Sequence, residues 1–141
     1  TVFPEKNDHG SIYRLTSSVN GKKVAVYTAH LDYLDCAYYN ARGYDGSTWK
    51  EIPLPASVDE IMKVNVASQR DDAIRMFIAQ AEKDLANGYR VIVGGDFNEP
   101  SHRDWIEKNK NTTALLYPGQ LPLCWKKLAL LTATVRFIPI L

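Results

Sequence analysis

The chain lacks most of the features that sort a sequence quickly into a class. It has only two cysteines in 141 residues, Cys36 and Cys124. Their spacing fits no zinc pattern, so they read as free thiols or small buried residues rather than a site. No run approaches the roughly 18 apolar residues that a membrane-spanning helix needs. Excess charge is missing too: a formal net charge of +1 supplies no general pull towards nucleic acid or a membrane surface. There is no internal repeat, no signal peptide and no initiator Met. A processed or trimmed chain is expected, soluble and compatible with a secreted or periplasmic place, although the compartment itself is not legible. What is present is an apolar fraction of 45%, enough for one globular domain or part of one.

The organising stretch runs from Tyr89 to Ser101. Arg90 to Val93 is a short β-branched run ending in two glycines, the pattern of a strand buried on both faces. Gly94 and Gly95 permit a sharp turn and the close approach of a ligand. Asp96 and Asn98 follow, and Pro100 forbids simple continuation of the strand. Upstream, Ser11 to Val19 alternates apolar and polar residues as a strand does. Asn20-Gly21 is a strong hairpin signal, because both turn positions must accept positive φ. Lys23 to Leu31 then returns as a second strand, with Val24, Val26 and Thr28 on one face and His30 and Asp32 at its far end.

Residues 33–56 form a long connection rich in Tyr and Trp, among them Tyr38, Tyr39, Tyr44 and Trp49. Connections of this length are functional or disordered, and the aromatics argue against disorder. Both a substrate-facing loop and a packed Ω-loop fit. Ser57-Val58-Asp59-Glu60 is a capping box that starts a helix. Ile74, Phe77, Ile78, Ala81 and Leu85 make a second helical stripe, ended by Asn87-Gly88 as a C-cap. One helix or two, broken near Ser68, are equally allowed. Strand, helix and strand beside a hairpin predict an α+β fold with a mixed sheet.

His30 and the Asp96-x-Asn98 pair each have a plain structural explanation, as a packed imidazole and as turn residues that bond their own backbone. Together they suggest more. A His at one strand end and an Asp-x-Asn at another can converge on one rim, where α/β sheets keep their chemistry. That trio suits phosphoester hydrolysis. The Asp orients or deprotonates a water, while the Asn amide and a protonated His donate to phosphoryl oxygens.

Thr28-Ala29-His30-Leu31-Asp32 and Gly94-Gly95-Asp96-Phe97-Asn98, separated by the Gln69-Arg70 helix, resemble the endonuclease/exonuclease/phosphatase superfamily, the DNase I-like group. The likeness covers about Ile12 to Trp105. It implies a four-layer α/β/β/α sandwich, of which only a central-to-C-terminal portion is present, and phosphoester cleavage dependent on Mg²⁺ or Mn²⁺. Carried over by residue, Asp96 would activate water and touch metal, Asn98 would hold the scissile phosphate and His30 would donate to its oxygens. Asp32, Arg42, Tyr44 and Trp49 are candidates for substrate contacts. Arg70 braces the site or caps its own helix, with the structural role expected, and Glu99 and His102 are as well explained by the site as by solvated surface. The substrate is open between nucleic acid, a phospholipid head group and a small phosphodiester, with the near-neutral charge against a non-specific DNase. A non-catalytic binding fragment using the aromatic 33–56 loop is the alternative.

The departures are specific. The family's first metal ligands, an Asn and a Glu on earlier strands, have no counterpart, and neither does its closing Asp-His pair. Asp8-His9 is that dipeptide in the wrong place, and a turn is expected there. From about Lys110 the composition shifts to a segment with no acidic residue and no clear amphipathic period. The expected division is therefore a partial domain over 1–109 and a divergent or aberrant tail over 110–141. A reading-frame slip accounts for the tail, and an ordinary divergent C-terminus is the alternative. Asn111-Thr112-Thr113 matches a glycosylation sequon.

Overall fold

The structure is a computed structural model that describes residues 1–4 and 10–99. Asp8-His9, Pro100, His102, Cys124, the sequon at Asn111 and the whole 110–141 segment lie outside the described residues.

In chain order the elements are β1 (Phe3–Pro4), β2 (Ser11–Val19), β3 (Lys22–His30), α1 (Ala37–Asn40), α2 (Val58–Ala67), α3 (Arg70–Ala86) and β4 (Arg90–Asp96). The strands form one four-stranded sheet in the order β1-β2-β3-β4. The first three are antiparallel, and β4 lies parallel to β3. A parallel neighbour needs a crossover, and α1, α2 and α3 lie within it. The α+β class and the mixed sheet are thus observed.

Local chemistry accounts for the element ends. Asn20 and Gly21 both take positive φ, 50° and 71°, which lets a two-residue turn match the twist of β2 and β3. Ser57 accepts from the Glu60 amide at 3.3 Å, and the Glu60 carboxylate reaches back to the Ala56 amide at 2.9 Å. The helical stretch is two helices: Ser68 leaves the helical region at ψ 161°, and α3 restarts at Arg70. At the far end of α3 the Tyr89 amide donates to the Asp84 carbonyl and the Gly88 amide to that of Leu85. With Gly88 at φ 81° this is a Schellman closure, which satisfies carbonyls the helix leaves unpaired.

The core lies on one side of the sheet. Ile12, Ala25, Tyr27, Ala29, Val91 and Val93 pack against Ile74, Phe77, Ile78 and Ala81 of α3, and Tyr27 meets Phe77 edge-on at 4.9 Å. Beneath this layer Asp84 accepts from the Arg14 guanidinium, with Nε at 2.8 Å, and from the Tyr27 hydroxyl. The Arg14 bond holds the Asp84 carboxyl below its usual range against the opposing effect of burial. Burial, aided by Asp84, pushes the Tyr27 hydroxyl up.

The other side of the sheet differs from expectation. Val91 and Val93 are buried, but Ile92 between them is only half-buried, and Tyr13, Leu15, Val19 and Val26 on the same face are exposed. β4 is therefore enclosed on its α3 side alone among the described residues. The apolar run looks two-sided in sequence because its β-branched residues serve both faces. The glycines also differ from expectation: β4 runs straight through Gly94 and Gly95 to Asp96.

Candidate active-site rim

β3 and β4 run in parallel, so their carboxyl ends emerge at the same edge, and their register pairs His30 with Asp96. Paired residues in a ladder point to the same side. Thr28 and Gly94, one step back on that side, are paired as well. His30 and Asp96 are both exposed there. Gly95 makes this closeness possible. At φ 140°, a Cβ built on it would stand 1.9 Å from the Ala29 carbonyl oxygen, so a side chain would force β4 away from β3.

Past the ladder the two strand ends stay tied. The Leu31 amide donates to the Asp96 carbonyl at 2.9 Å. The Asn98 side-chain amide returns a bond to the Leu31 carbonyl at 2.8 Å, and the Asn98 backbone N–H donates to Asp96 Oδ1 at 2.9 Å. The last is the Asx turn that a bland reading of Asp-x-Asn anticipates, and Asn98 sits at φ 48°, a region Asn tolerates. Neither group is used up by these bonds. Asp96 keeps Oδ2, and Asn98 keeps one of its two N–H hydrogens and its Oδ1. The structure thus brings His30, Asp96 and Asn98 to one rim.

Asp32 is placed otherwise. It is 5% exposed, and its carboxylate accepts from the amides of Leu34 and Gln69, both at 3.0 Å. Gln69, which precedes α3, offers no side-chain cap of its own; Asp32 supplies a carboxylate there from 37 positions upstream, where the helix dipole favours negative charge. Both oxygens accept from backbone amides, so the residue ties the end of β3 to the start of α3.

Below the rim lies a buried ionic group that the sequence understated. Arg70 is 1% exposed. Its Nε pairs with Glu99 Oε2 at 2.9 Å, and its Nη atoms donate to the carbonyls of Asp32, Leu34 and Asp35 at 2.9–3.0 Å. The other Glu99 oxygen accepts from Asn65 at 2.8 Å. Burial raises the Glu99 carboxyl, while Arg70 pulls the opposite way. Arg70 therefore reaches across to the strand ends instead of capping its own helix, and Glu99 is not solvated surface. One signal was available: Arg70 stands four before Ile74, on the same buried stripe, and a charge on an apolar stripe implies a buried partner. Asp84 breaks the same stripe at its other end.

Arg42, Tyr44 and Trp49 belong to a cluster of their own. The 33–56 segment is a packed unit: α1 buries Ala37 and Ala41 against Ile61 of α2, and a narrow hairpin pairs Tyr44 with Glu51. Asp45 accepts from the amides of Ser47 and Thr48 and from the Thr48 hydroxyl; those bonds, with the Thr48 amide foremost, hold its carboxyl low. Trp49 takes φ 60°, is 64% exposed and packs edge-on to Tyr39 at 4.8 Å, which in turn meets Tyr38 at 5.5 Å. The Arg42 guanidinium lies over the Tyr38 ring at 5.1 Å and donates to its hydroxyl. The cluster joins the rim through Cys36, whose thiol lies 3.7 Å from the Asn98 carbonyl and is pushed up by burial.

Among the described residues no group of three or more His, Cys, Asp or Glu side chains is placed to hold a metal ion. Asp96 is a single exposed carboxylate, and a hard divalent cation needs several oxygen donors. The described donor set therefore does not make up a Mg²⁺ or Mn²⁺ site. No helix among the described residues is long and apolar enough to cross a membrane.

The fold and rim define an α+β protein whose mixed sheet presents a His, an Asp and an Asn at the ends of two parallel strands. Comparison with protein-family models, with curated proteins and with solved structures found no match.

Proposed function

We propose that this chain is a central-to-C-terminal portion of a phosphoester hydrolase of the endonuclease/exonuclease/phosphatase type, its sheet and α3 forming one half of a four-layer sandwich. The observation that supports this reading most directly is the pairing of His30 with Asp96, with Asn98 bonded back to the strand that carries the imidazole. In the proposed reaction a phosphoryl group sits over the rim. Asp96 orients the attacking water through Oδ2 and takes its proton. His30 and the remaining Asn98 N–H donate to the phosphoryl oxygens, where charge grows in the transition state. A divalent metal belongs to this reading through the resemblance alone, and no step here runs through it. The Tyr39/Trp49 cluster is the proposed specificity element, presenting flat apolar area to whatever group the phosphate carries.

The test is hydrolysis of bis-p-nitrophenyl phosphate in buffer containing Mg²⁺ or Mn²⁺. Loss of a general base costs on the order of 10²- to 10⁴-fold, so Asp96→Ala should lower turnover by at least the smaller factor, and His30→Ala should lower it at unchanged fold. Turnover that survives Asp96→Ala undiminished would refute the roles assigned here.

The exposure of Trp49 favours one second reading, a non-catalytic fragment that recognises a sugar or protein through the 33–56 loop. Trp49→Ala would then abolish ligand capture on a glycan or peptide array, while Asp96→Ala would leave it intact.

A further inference from the structure

We propose that Arg70, Glu99, Asn65 and Asp32 form a brace whose task is to set the Asp96–Asn98 turn against the end of β3. Arg70 and Glu99 are positioning residues for the hydrolysis proposed above, on which their catalytic consequence rests.

The connectivity carries this reading. Glu99 directly follows Asn98, and its two oxygens are held by different helices, one by Arg70 of α3 and one by Asn65 of α2. The remaining Arg70 donors go to the carbonyls of Asp32, Leu34 and Asp35, the residues that leave the β3 end carrying His30. Asp32 closes the ring by accepting from Gln69, just before α3 begins. The exits of both catalytic strands are thereby fixed to one guanidinium. The Asn98 side chain and backbone N–H are anchored within the rim, on Leu31 and Asp96, and its carbonyl accepts from the Cys36 thiol at 3.7 Å. Glu99 adds the link from the turn to both α2 and α3.

The choice of residue types fits a task of position. Only Arg presents a rigid fork able to serve a carboxylate and three separate carbonyls at once. Buried ion pairs add little net stability compared with apolar packing, so a pair 1% and 4% exposed at the foot of the rim is better explained by geometry than by stability. A displacement of about 1 Å at reacting groups costs on the order of 10²-fold in rate, which is the scale at which such a brace matters.

The experiment uses the full chain with three substitutions. Glu99→Gln keeps the shape and removes the charge. Arg70→Lys keeps the charge and removes the fork. Tyr27→Phe, at the opposite end of the core, serves as a destabilising control that leaves the rim alone. Amide hydrogen exchange and the turnover of bis-p-nitrophenyl phosphate are read for each. Both brace variants should speed exchange at Leu31 and Asn98 at least 10-fold more than at Val24 and Val26, and should lower kcat 10- to 100-fold with KM changed less than 3-fold. Tyr27→Phe should lower the melting temperature without either effect. If the brace variants only lower the melting temperature, with rim exchange and kcat tracking the control, the positioning role is overturned. If the wild-type chain hydrolyses nothing, the hydrolase reading fails by itself and exchange at Leu31 and Asn98 still decides the brace.

Discussion

Two adjacent glycines should respond very unequally to the same substitution. At Gly95 an added Cβ would lie 1.9 Å from the Ala29 oxygen and 2.8 Å from its carbonyl carbon and amide nitrogen. All three are backbone atoms that cannot swing aside as a flexible side chain would. Overpacking of this kind costs about 1–3 kcal/mol, and forcing a residue with a side chain to φ 140° costs about 1–3 kcal/mol more. Gly95→Ala should therefore lose about 2–6 kcal/mol, a large share of the roughly 5–15 kcal/mol that domains possess. At Gly94 no atom lies within 4 Å of an added Cβ. Gly94→Ala should fall within about 1 kcal/mol of wild type, with any gain arising from a less free unfolded chain. Urea titration followed by circular dichroism reads both. The Gly95→Ala midpoint should drop clearly at unchanged slope, and the Gly94→Ala midpoint should barely move. Equal midpoints would show that β3 and β4 do not meet as closely as described, and with that the pairing of His30 and Asp96 would go.

Further outcomes follow from other parts of the molecule. Asp84 is held below its ordinary value chiefly by Arg14, so on acidification the unfolded chain takes that proton first. Its stabilisation is complete above the usual carboxylate range and is lost as pH falls through the lower folded value. Asp84→Asn should cost about 1–3 kcal/mol at neutral pH and flatten the acid limb of a melting-temperature profile. On the sheet, Leu15→Ser on the open face should stay within about 0.5 kcal/mol, whereas Ile12→Ala on the enclosed face should cost about 2–5 kcal/mol by urea midpoint. In the aromatic cluster, Trp49→Asn suits the positive φ and should leave the melting temperature within a few degrees. If the ring contacts substrate, the same change should raise KM several-fold for an aromatic phosphodiester.

β2, β3, β4, the hairpin turn and both caps could be read from the sequence because each rests on a short-range rule, whereas β1, two residues in a stretch that reads as polar and turn-rich, could not. Asn20-Gly21 can hardly be anything but a two-residue turn, and Ser57 with Glu60 marks a helix start within four positions. The crossover was legible in outline, but the break at Ser68 was not, since Ser and Gln are tolerated equally inside a helix and between two. The rim was half legible: the residue types at 30, 96 and 98 pointed to it, but register between parallel strands has no local signature. The bond from the Gln69 amide to Asp32 could not be read, because the two lie 37 positions apart. Arg70 and Glu99 were undervalued for the same reason. A buried ion pair is a property of two distant segments, and neither half declares it.

The pairing of β3 with β4 has a kinetic consequence. Leu31 and Asn98, which meet across the rim, lie 67 positions apart, and the crossover that fills most of that span must be laid down first. Closing so long a span is entropically slow compared with zipping the Asn20-Gly21 hairpin. A nascent chain released before Gly88 would hold the hairpin and both long helices yet have nothing at position 96 to set beside the imidazole. The rim would be assembled only when β4 docks, late and all at once.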